Sequence, residues 1–592
     1  MARPNIIVVV TDDQGYGDLA CHGNPHIRTP HMDRLHSESV RFTNFHVDPT
    51  CSPTRAALMT GCYSHRVNVW HTIMGRNYMD HERQTMPERF AAAGYRTGHF
   101  GKWHLGGHVP YRPIDRGFEE WLGQGDGGTG CMTDHWANRR VDDIYLHNGT
   151  KRRIPGYGPD VFFDAAMEYA AKPDERPFFI YLATYIPHNP TSLPDSHWAD
   201  AYRDEVPIRT AYFYSAIERA DYNLGRLRAR LCELGLVENT ILLFMTDNGT
   251  AQGHHVFNAG MRGNKGDVYD GGHRVPCFLH WPAAGMNEAR DVDGLTSHID
   301  LMPTLLDLAG AAPDAGVTAS PDDIDGISLA GVLREDAAVP DRTLVVESQR
   351  IRVPEKYRAH AVMRGSWRLV NQDELYDVAT DPGQEHNVAS EHPDLVTELQ
   401  ASYERYWEHV IPGDESFGRP RIGGDEAVEL CTEHLYADSD DAFCWNQLHV
   451  VKAVPITGEW PVEVEQAGPY RFAVRRWPEE LAAPIRGVPR HSTAEAGARA
   501  KSWLFDEEVT DILYGAADGA APAEDLPVAL SVHSVRLEAG EQTEVLLVTD
   551  DADCVATELT LPSGPQSIRA EMLAADGGVI GSPYYVTVTR LA

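Results

Sequence analysis

Four short runs constrain this chain more than anything else in it: Ile6–Val10, Gly98–Phe100, Phe178–Tyr185 and Ile241–Met245. Helical patterns at Leu35–Phe42, Thr85–Ala93, Val161–Ala171 and Tyr212–Leu234 separate them. Runs this brief read as buried strands, and strands alternating with helices predict a large, mostly parallel sheet sandwiched by helices. Ser297–Gly310 adds a further helix with a glycine stop. Each run ends in a polar cluster: Thr11–Gly15, Gly101–His104, Pro187–Pro190 and Thr246–Gly249. In a parallel sheet the strand C-termini share one edge, where open α/β sheets bind ligands, so these clusters are expected to meet in one pocket.

The texture changes after residue 344. Leu344–Glu347, His360–Met363, Trp367–Val370 and Glu374–Asp377 predict a small antiparallel sheet, and Glu391–His409 a long helix beside it. Pro412–Gly424, rich in Gly and Pro, reads as a linker. Beyond it helical periodicity fades. Pro461–Glu465, Tyr470–Val474, Val528–Val532, Thr543–Val548 and Tyr584–Val588 predict a C-terminal β-sandwich. The expected division is an α/β domain over residues 1–344, an α+β subdomain with its linker over 345–424, and a β-rich accessory domain over 425–592.

A net charge of −35 argues against general binding to nucleic acid, whose phosphates such a surface repels. An anionic substrate then requires a locally positive pocket. Only seven of the 52 basic residues are lysine, so Lys102 and Lys265 stand out as compact point charges. No run approaches the length of a membrane span. No leader precedes Asn5–Val10, and the nine cysteines form no C-x-x-C pair. Both features predict a reduced, cytoplasmic chain, with a periplasmic or secreted one expected only if a leader was trimmed.

Asp12, Asp13, Asp247 and Asn248 offer oxygen ligands only, a set that suits Ca²⁺ or Mg²⁺ rather than zinc. Either cluster alone reads as turn or cap residues; two of them after buried strands read as a metal site. Cys51–Gly61 reads as a short helix, with Ser52 able to cap it, Pro53 suited to its first turn and Gly61 able to stop it. Cys51 at its start is open to two readings, a buried structural cysteine or a thiolate favoured by the helix N-terminus. Arg55 is expected to reach back toward it. Trp103, Trp121, Trp136 and Trp198 fit stacking on a sugar or aryl ring and fit a buried core at least as well, and His254, His255 and His273 read as loop residues.

Cys51-x-Pro53-x-Arg55 followed by Leu58-Met59-Thr60-Gly61 resembles the signature of the type I sulfatases of the alkaline phosphatase superfamily. The resemblance covers roughly residues 4–410, and further motifs match in order. It implies that a maturation enzyme oxidises Cys51 to Cα-formylglycine, whose hydrate is the nucleophile oriented by Arg55. It implies a divalent metal, Ca²⁺ first and Mg²⁺ second, on Asp12, Asp13, residue 51, Asp247 and Asn248. Lys102 and His104 in Gly101–Gly106, His188 in Pro-His-x-Pro and Lys265 in Asn-Lys-Gly match the residues that bind sulfate and move protons.

The implied activity is hydrolysis of sulfate monoesters, with carbohydrate sulfates the expected class because the β-rich tail resembles appendages of carbohydrate-directed sulfatases. A phosphonate monoester or phosphodiester hydrolase of the same superfamily is the nearest rival. An inert glycan-binding or scaffold protein is the rival from another class.

Overall fold

The computed structural model describes residues 2–189, 191, 193–194, 197–311, 324–411, 418–489 and 528–591. Pro190 and residues 412–417 of the expected linker lie outside them. Five parallel strands form the centre of a ten-stranded sheet, in the order Thr240–Thr246, Asn5–Asp12, Phe178–Pro187, Arg96–Gly101 and Glu120–Gly123. Short strands extend it on both sides, several of them antiparallel. Alternation along Asn5–Asp12 explains the layering. Ile6, Val8 and Val10 enter a core with Leu58 and Met59, whereas Ile7 and Val9 enter another with Phe162 and Leu224. Both faces are therefore dry, and each buried Val or Ile contributes about 1.5–3 kcal/mol.

The strands share a register at their C-terminal edge: Thr11 lies beside Thr246, and Ala183 beside Gly101, which lies beside Gly123. Gly101 is required there. Its φ is +113°, and a Cβ on it would stand 2.0 Å from the Ala183 carbonyl oxygen.

Two expected elements differ. Leu35–Phe42 is not one helix: a helix over Pro30–Ser37 ends there, and Val40–Phe42 is a strand. Val40 and Phe42 have the spacing of a strand face, and sheet pairing with Cys277–His280 takes them. Val528–Val532 is irregular, the strand beginning only at Ser534. Among the described residues no helix is long and apolar enough to cross a membrane.

The four-stranded sheet of Thr343–Glu347, His360–Arg364, Trp367–Val370 and Glu374–Asp377 is antiparallel throughout. The helix Pro393–Val410 lays Leu399, Tyr403, Tyr406 and Val410 on it, a stripe of helical period. A buried ion pair, Arg368 Nε to Asp270 Oδ1 at 2.8 Å, ties this sheet to the large one. His273 belongs to the same cluster, buried with its Nδ1 2.9 Å from His46 Nδ1, so it is not a loop residue.

Glu347 joins the same seam. Its carboxyl accepts from the hydroxyls of Tyr403 at 2.7 Å and Tyr406 at 3.3 Å. Burial raises it from 4.5 to about 7, with these hydrogen bonds opposing. The folded state thus keeps a proton that the unfolded state releases near pH 4.5. The stability this gives is complete below that pH and is lost as pH rises through 7. Glu347→Gln keeps the shape without the titration. Its denaturation midpoint, measured across pH 4.5–8, is expected to gain on the parent's as pH rises, by up to about 3 kcal/mol.

The described residues between 421 and 591 form two facing sheets. One runs Arg421–Ile422, Gly458–Val464, Gly564–Leu573, Ser534–Ala539 and Gln542–Leu547; the other runs Val428–Cys431, Tyr585–Arg590, Gly468–Arg475 and Val555–Leu561. Trp460, Val462 and Val464 alternate inward from the first and share a core with Tyr470, Phe472 and Val474 of the second, which makes a β-sandwich. Residues 418–422, counted in the linker, are docked: Arg419 N–H donates to the Tyr111 hydroxyl at 2.9 Å and Arg421 N–H to the Val109 carbonyl at 2.9 Å.

Candidate active site

The polar clusters meet where the strands end. Asp12 and Asp13 follow the first strand, Asp247 and Asn248 the strand on one side of it, His188 the strand on the other, and Lys102 and His104 the next. Asp13 and His104 take positive φ values of 74° and 62°, strain that places their side chains at the shared edge.

The helix Cys51–Thr60 completes the centre. It begins at Cys51 itself: Thr50 is the N-cap, and Ser52 lies inside the first turn with its hydroxyl unpartnered. Gly61, at φ 68°, stops it through a 2.8 Å bond to Ala57 O. All ten residues are buried. Arg55 reaches across the centre to Asp247. Its Nη2 lies 2.7 Å and its Nε 3.1 Å from Asp247 Oδ2, and its Nη1 donates to Lys102 O at 3.0 Å.

Charges alternate around this point. Lys102 Nζ lies 2.6 Å from Asp12 Oδ2, and Lys265 Nζ 2.5 Å from Asp13 Oδ1, which also accepts from Asn248 Nδ2 at 3.0 Å. His188 Nε2 is 3.9 Å from Asp13 Oδ2. Ligand atoms of Asp12, Cys51 and Asp247 lie within 4.8 Å of one another, as do those of Asp12, Asp13 and His188.

Burial would raise the Asp12 carboxyl, but Lys102 and its neighbours hold it well below the usual range. Burial and the Asp12 charge push Asp247 well up, against Arg55. Burial, with Lys102 adding, lowers His104 to about 3; burial lowers His188 to about 4. Burial acts to lower Lys102 and Lys265, but Asp12 and Asp13 respectively, together with further acidic neighbours, raise both, so they stay cationic.

A divalent cation fits these residues. Asp12 Oδ1 and Asn248 Oδ1 are buried and find no hydrogen-bond partner. Buried oxygens are seldom left so, and both belong to the oxygen-only set that hard cations favour.

A cavity of about 330 Å³ opens on this centre. Asp13, Cys51, His104, His188 and Lys265 line it, and so do Thr129, Arg350, Glu433, Trp445 and Asn446, which the sequence did not single out. Thr129 sits in the glycine-rich stretch Gly123–Gly130. Arg350 and the last three come from far along the chain and carry no local motif. Of the four candidate tryptophans, Trp103, Trp121 and Trp136 are buried in packing, and Trp198 meets Tyr222 edge-on. The tryptophan at the cavity is Trp445.

Residues 4–311 match the sulfatase family. The chain belongs to the sulfatase family. This sulfatase is 29% identical to human arylsulfatase A over 496 residues, spanning 72% of this chain and 92% of that one. It is 30% identical to N-acetylgalactosamine-6-sulfatase of Canis lupus familiaris over 356 residues, 55% and 65% of the two chains. Among solved structures, "Ps i-CgsB in complex with k-i-k-neocarrahexaose" shares 25% identity at a TM-score of 0.62, covering 69% of this chain and 94% of that one. The sulfatase is thus an enzyme, a hydrolase of sulfate esters, and its main sheet is that of the alkaline phosphatase superfamily.

Proposed function

We propose that this sulfatase removes sulfate from carbohydrate monoesters, using an aldehyde made from Cys51 and a divalent cation, Ca²⁺ ahead of Mg²⁺. The observation that carries this reading is one cavity lined by Cys51, Lys265, His104 and His188 together with Trp445. Its volume, about 330 Å³, is at the small end for ligand sites and suits one sulfated ring. The dog relative is named for a sulfated amino sugar, and the solved neighbour holds an oligosaccharide; both support a carbohydrate.

Asp12, Asp13, Asp247 and Asn248, with residue 51, would hold the cation, which supplies positive charge to the sulfuryl oxygens when bound. Each carboxyl is already paired with a cation, Asp12 with Lys102, Asp13 with Lys265 and Asp247 with Arg55, and a divalent cation held there would add the positive charge that a sulfate monoester needs.

Lys102 and Lys265 bind sulfuryl oxygens as fixed cations. Arg55 holds Asp247 in place. The aldehyde hydrate derived from Cys51 supplies the nucleophilic hydroxyl. Lys265, with His188 beside it, delivers a proton to the leaving alkoxide, and neutral His104 accepts one on its unpartnered Nδ1. Because Cys51–Thr60 is buried along its whole length, the maturation enzyme must act on the chain before it folds.

Mass spectrometry tests this reading directly. The Cys51 peptide from active enzyme is expected about 18 Da light, for replacement of CH₂–SH by an aldehyde. An intact thiol in fully active protein would reject the nucleophile. A panel of sulfated mono- and disaccharides, run beside a phosphonate monoester and a phosphodiester, ranks the substrate class by kcat/KM.

A further inference from the structure

One wall of the cavity comes from a part of the chain that supplies none of the residues around Cys51. The 3-10 turn Thr432–His434 and the stretch Trp445–Gln447 dock onto loops of the large domain. Met74 N–H donates to Glu433 O at 2.8 Å, Met132 N–H to Trp445 O at 3.1 Å and Gln447 N–H to Gly130 O at 2.9 Å. His434 Nε2 lies 2.8 Å from Asp126 Oδ2, both side chains being buried. The turn is therefore held rigidly, and Glu433 with it.

Glu433 is 1% exposed. Its Oε2 accepts from the Thr133 N–H at 3.3 Å and hydroxyl at 3.4 Å. Its Oε1 has no partner. That oxygen lies 3.0 Å from the point a Cβ on Gly127 would occupy, and His104 Nε2 lies 3.3 Å from the same point. Cys131 Sγ is nearer still, at 2.6 Å, so only a glycine fits there, and Glu433 and His104 approach one another on the wall of the cavity that Cys51 lines. A buried carboxyl with one oxygen unmatched calls for a donor from outside the protein. Burial pushes this carboxyl up to about 7, as expected of a group whose donor has yet to arrive.

We propose that Glu433 is a specificity residue, accepting a hydrogen bond from a hydroxyl or amide N–H of the substrate close to its sulfate ester. The inference rests on the reading of the cavity as a carbohydrate site and sharpens it. Glu433 selects sulfates that carry such a donor over simple aryl sulfates. A site built around a hydrogen bond discriminates strongly against ligands that lack it, because its own polar group is then left unpaired.

The test uses full-length enzyme matured in the cell. Glu433→Gln keeps the shape, and Glu433→Asp, which draws the charge back, serves if the first does not fold. Each is compared with the parent on N-acetylgalactosamine 6-sulfate, 2-hydroxy-5-nitrophenyl sulfate and 4-nitrophenyl sulfate. The expected loss in kcat/KM is about ten- to a hundredfold on the donor-bearing esters and within about twofold on 4-nitrophenyl sulfate. Equal losses on all probes, or none on any, overturn the proposal. If the parent cleaves aryl sulfates but no sulfated sugar, the carbohydrate reading fails on its own. The two aryl probes then decide the role of Glu433: a loss confined to the hydroxylated one supports it, and a uniform response overturns it.

Discussion

Cys51→Ala, produced beside a formylglycine-generating enzyme, is expected to lose sulfate ester hydrolysis by at least about 10⁴-fold. Its thermal midpoint is expected to stay close to the parent's. The structure explains why fold and activity separate here. Cys51 is buried but lines the cavity, and the truncation removes only its sulfur atom. The charges around it hold one another: Arg55 on Asp247, Lys102 on Asp12, Lys265 on Asp13. None of these pairs needs the thiol. Arg55 would behave differently, since removing it leaves Asp247 buried and unpaired, at a cost of about 3–5 kcal/mol. Near-parental turnover by Cys51→Ala, measured with 4-nitrophenyl sulfate, would move the nucleophile elsewhere.

The second large effect is expected from metal removal. Exhaustive chelation should lower kcat/KM by about 10³-fold or more, and Ca²⁺ or Mg²⁺ should restore it. Asp12, Asp13 and Asp247 stand together with little water to screen them, and two oxygens of the set have no partner. Comparing restoration by the two ions at equal concentration ranks them, because Mg²⁺ demands tighter octahedral geometry than Ca²⁺. Activity that survives chelation, with no ion found by elemental analysis, would reject the site.

Much of this centre could be seen in the residues alone, for a physical reason. Strands buried on both faces read as unbroken apolar runs, and the residue where each run turns polar is where a parallel sheet ends. Asp12, Lys102, His188 and Asp247 lie in the clusters that reading singles out, whereas Cys51, at the start of a proline-marked helix, joins them only through the family resemblance. The small sheet and the helix Pro393–Val410 were equally legible, because local periodicity decides them. Leu35–Phe42 was misread because Ser37, Glu38 and Ser39 break the pattern within a few residues, where helix and strand spacing cannot be told apart. The tryptophans stay undecided in the sequence because size and apolarity fit a core as well as a sugar. Glu433, Trp445 and Arg350 had no local signature at all. They reach the cavity through docking across more than two hundred residues of chain, which no window of sequence encodes.

That docking separates two inheritances. The groups that break the ester are fixed by the edge of a sheet shared across a broad lineage, whereas the wall opposite them is lent by a β-rich appendage. Changes in the appendage can retune which molecules are admitted while leaving the bond-breaking apparatus untouched.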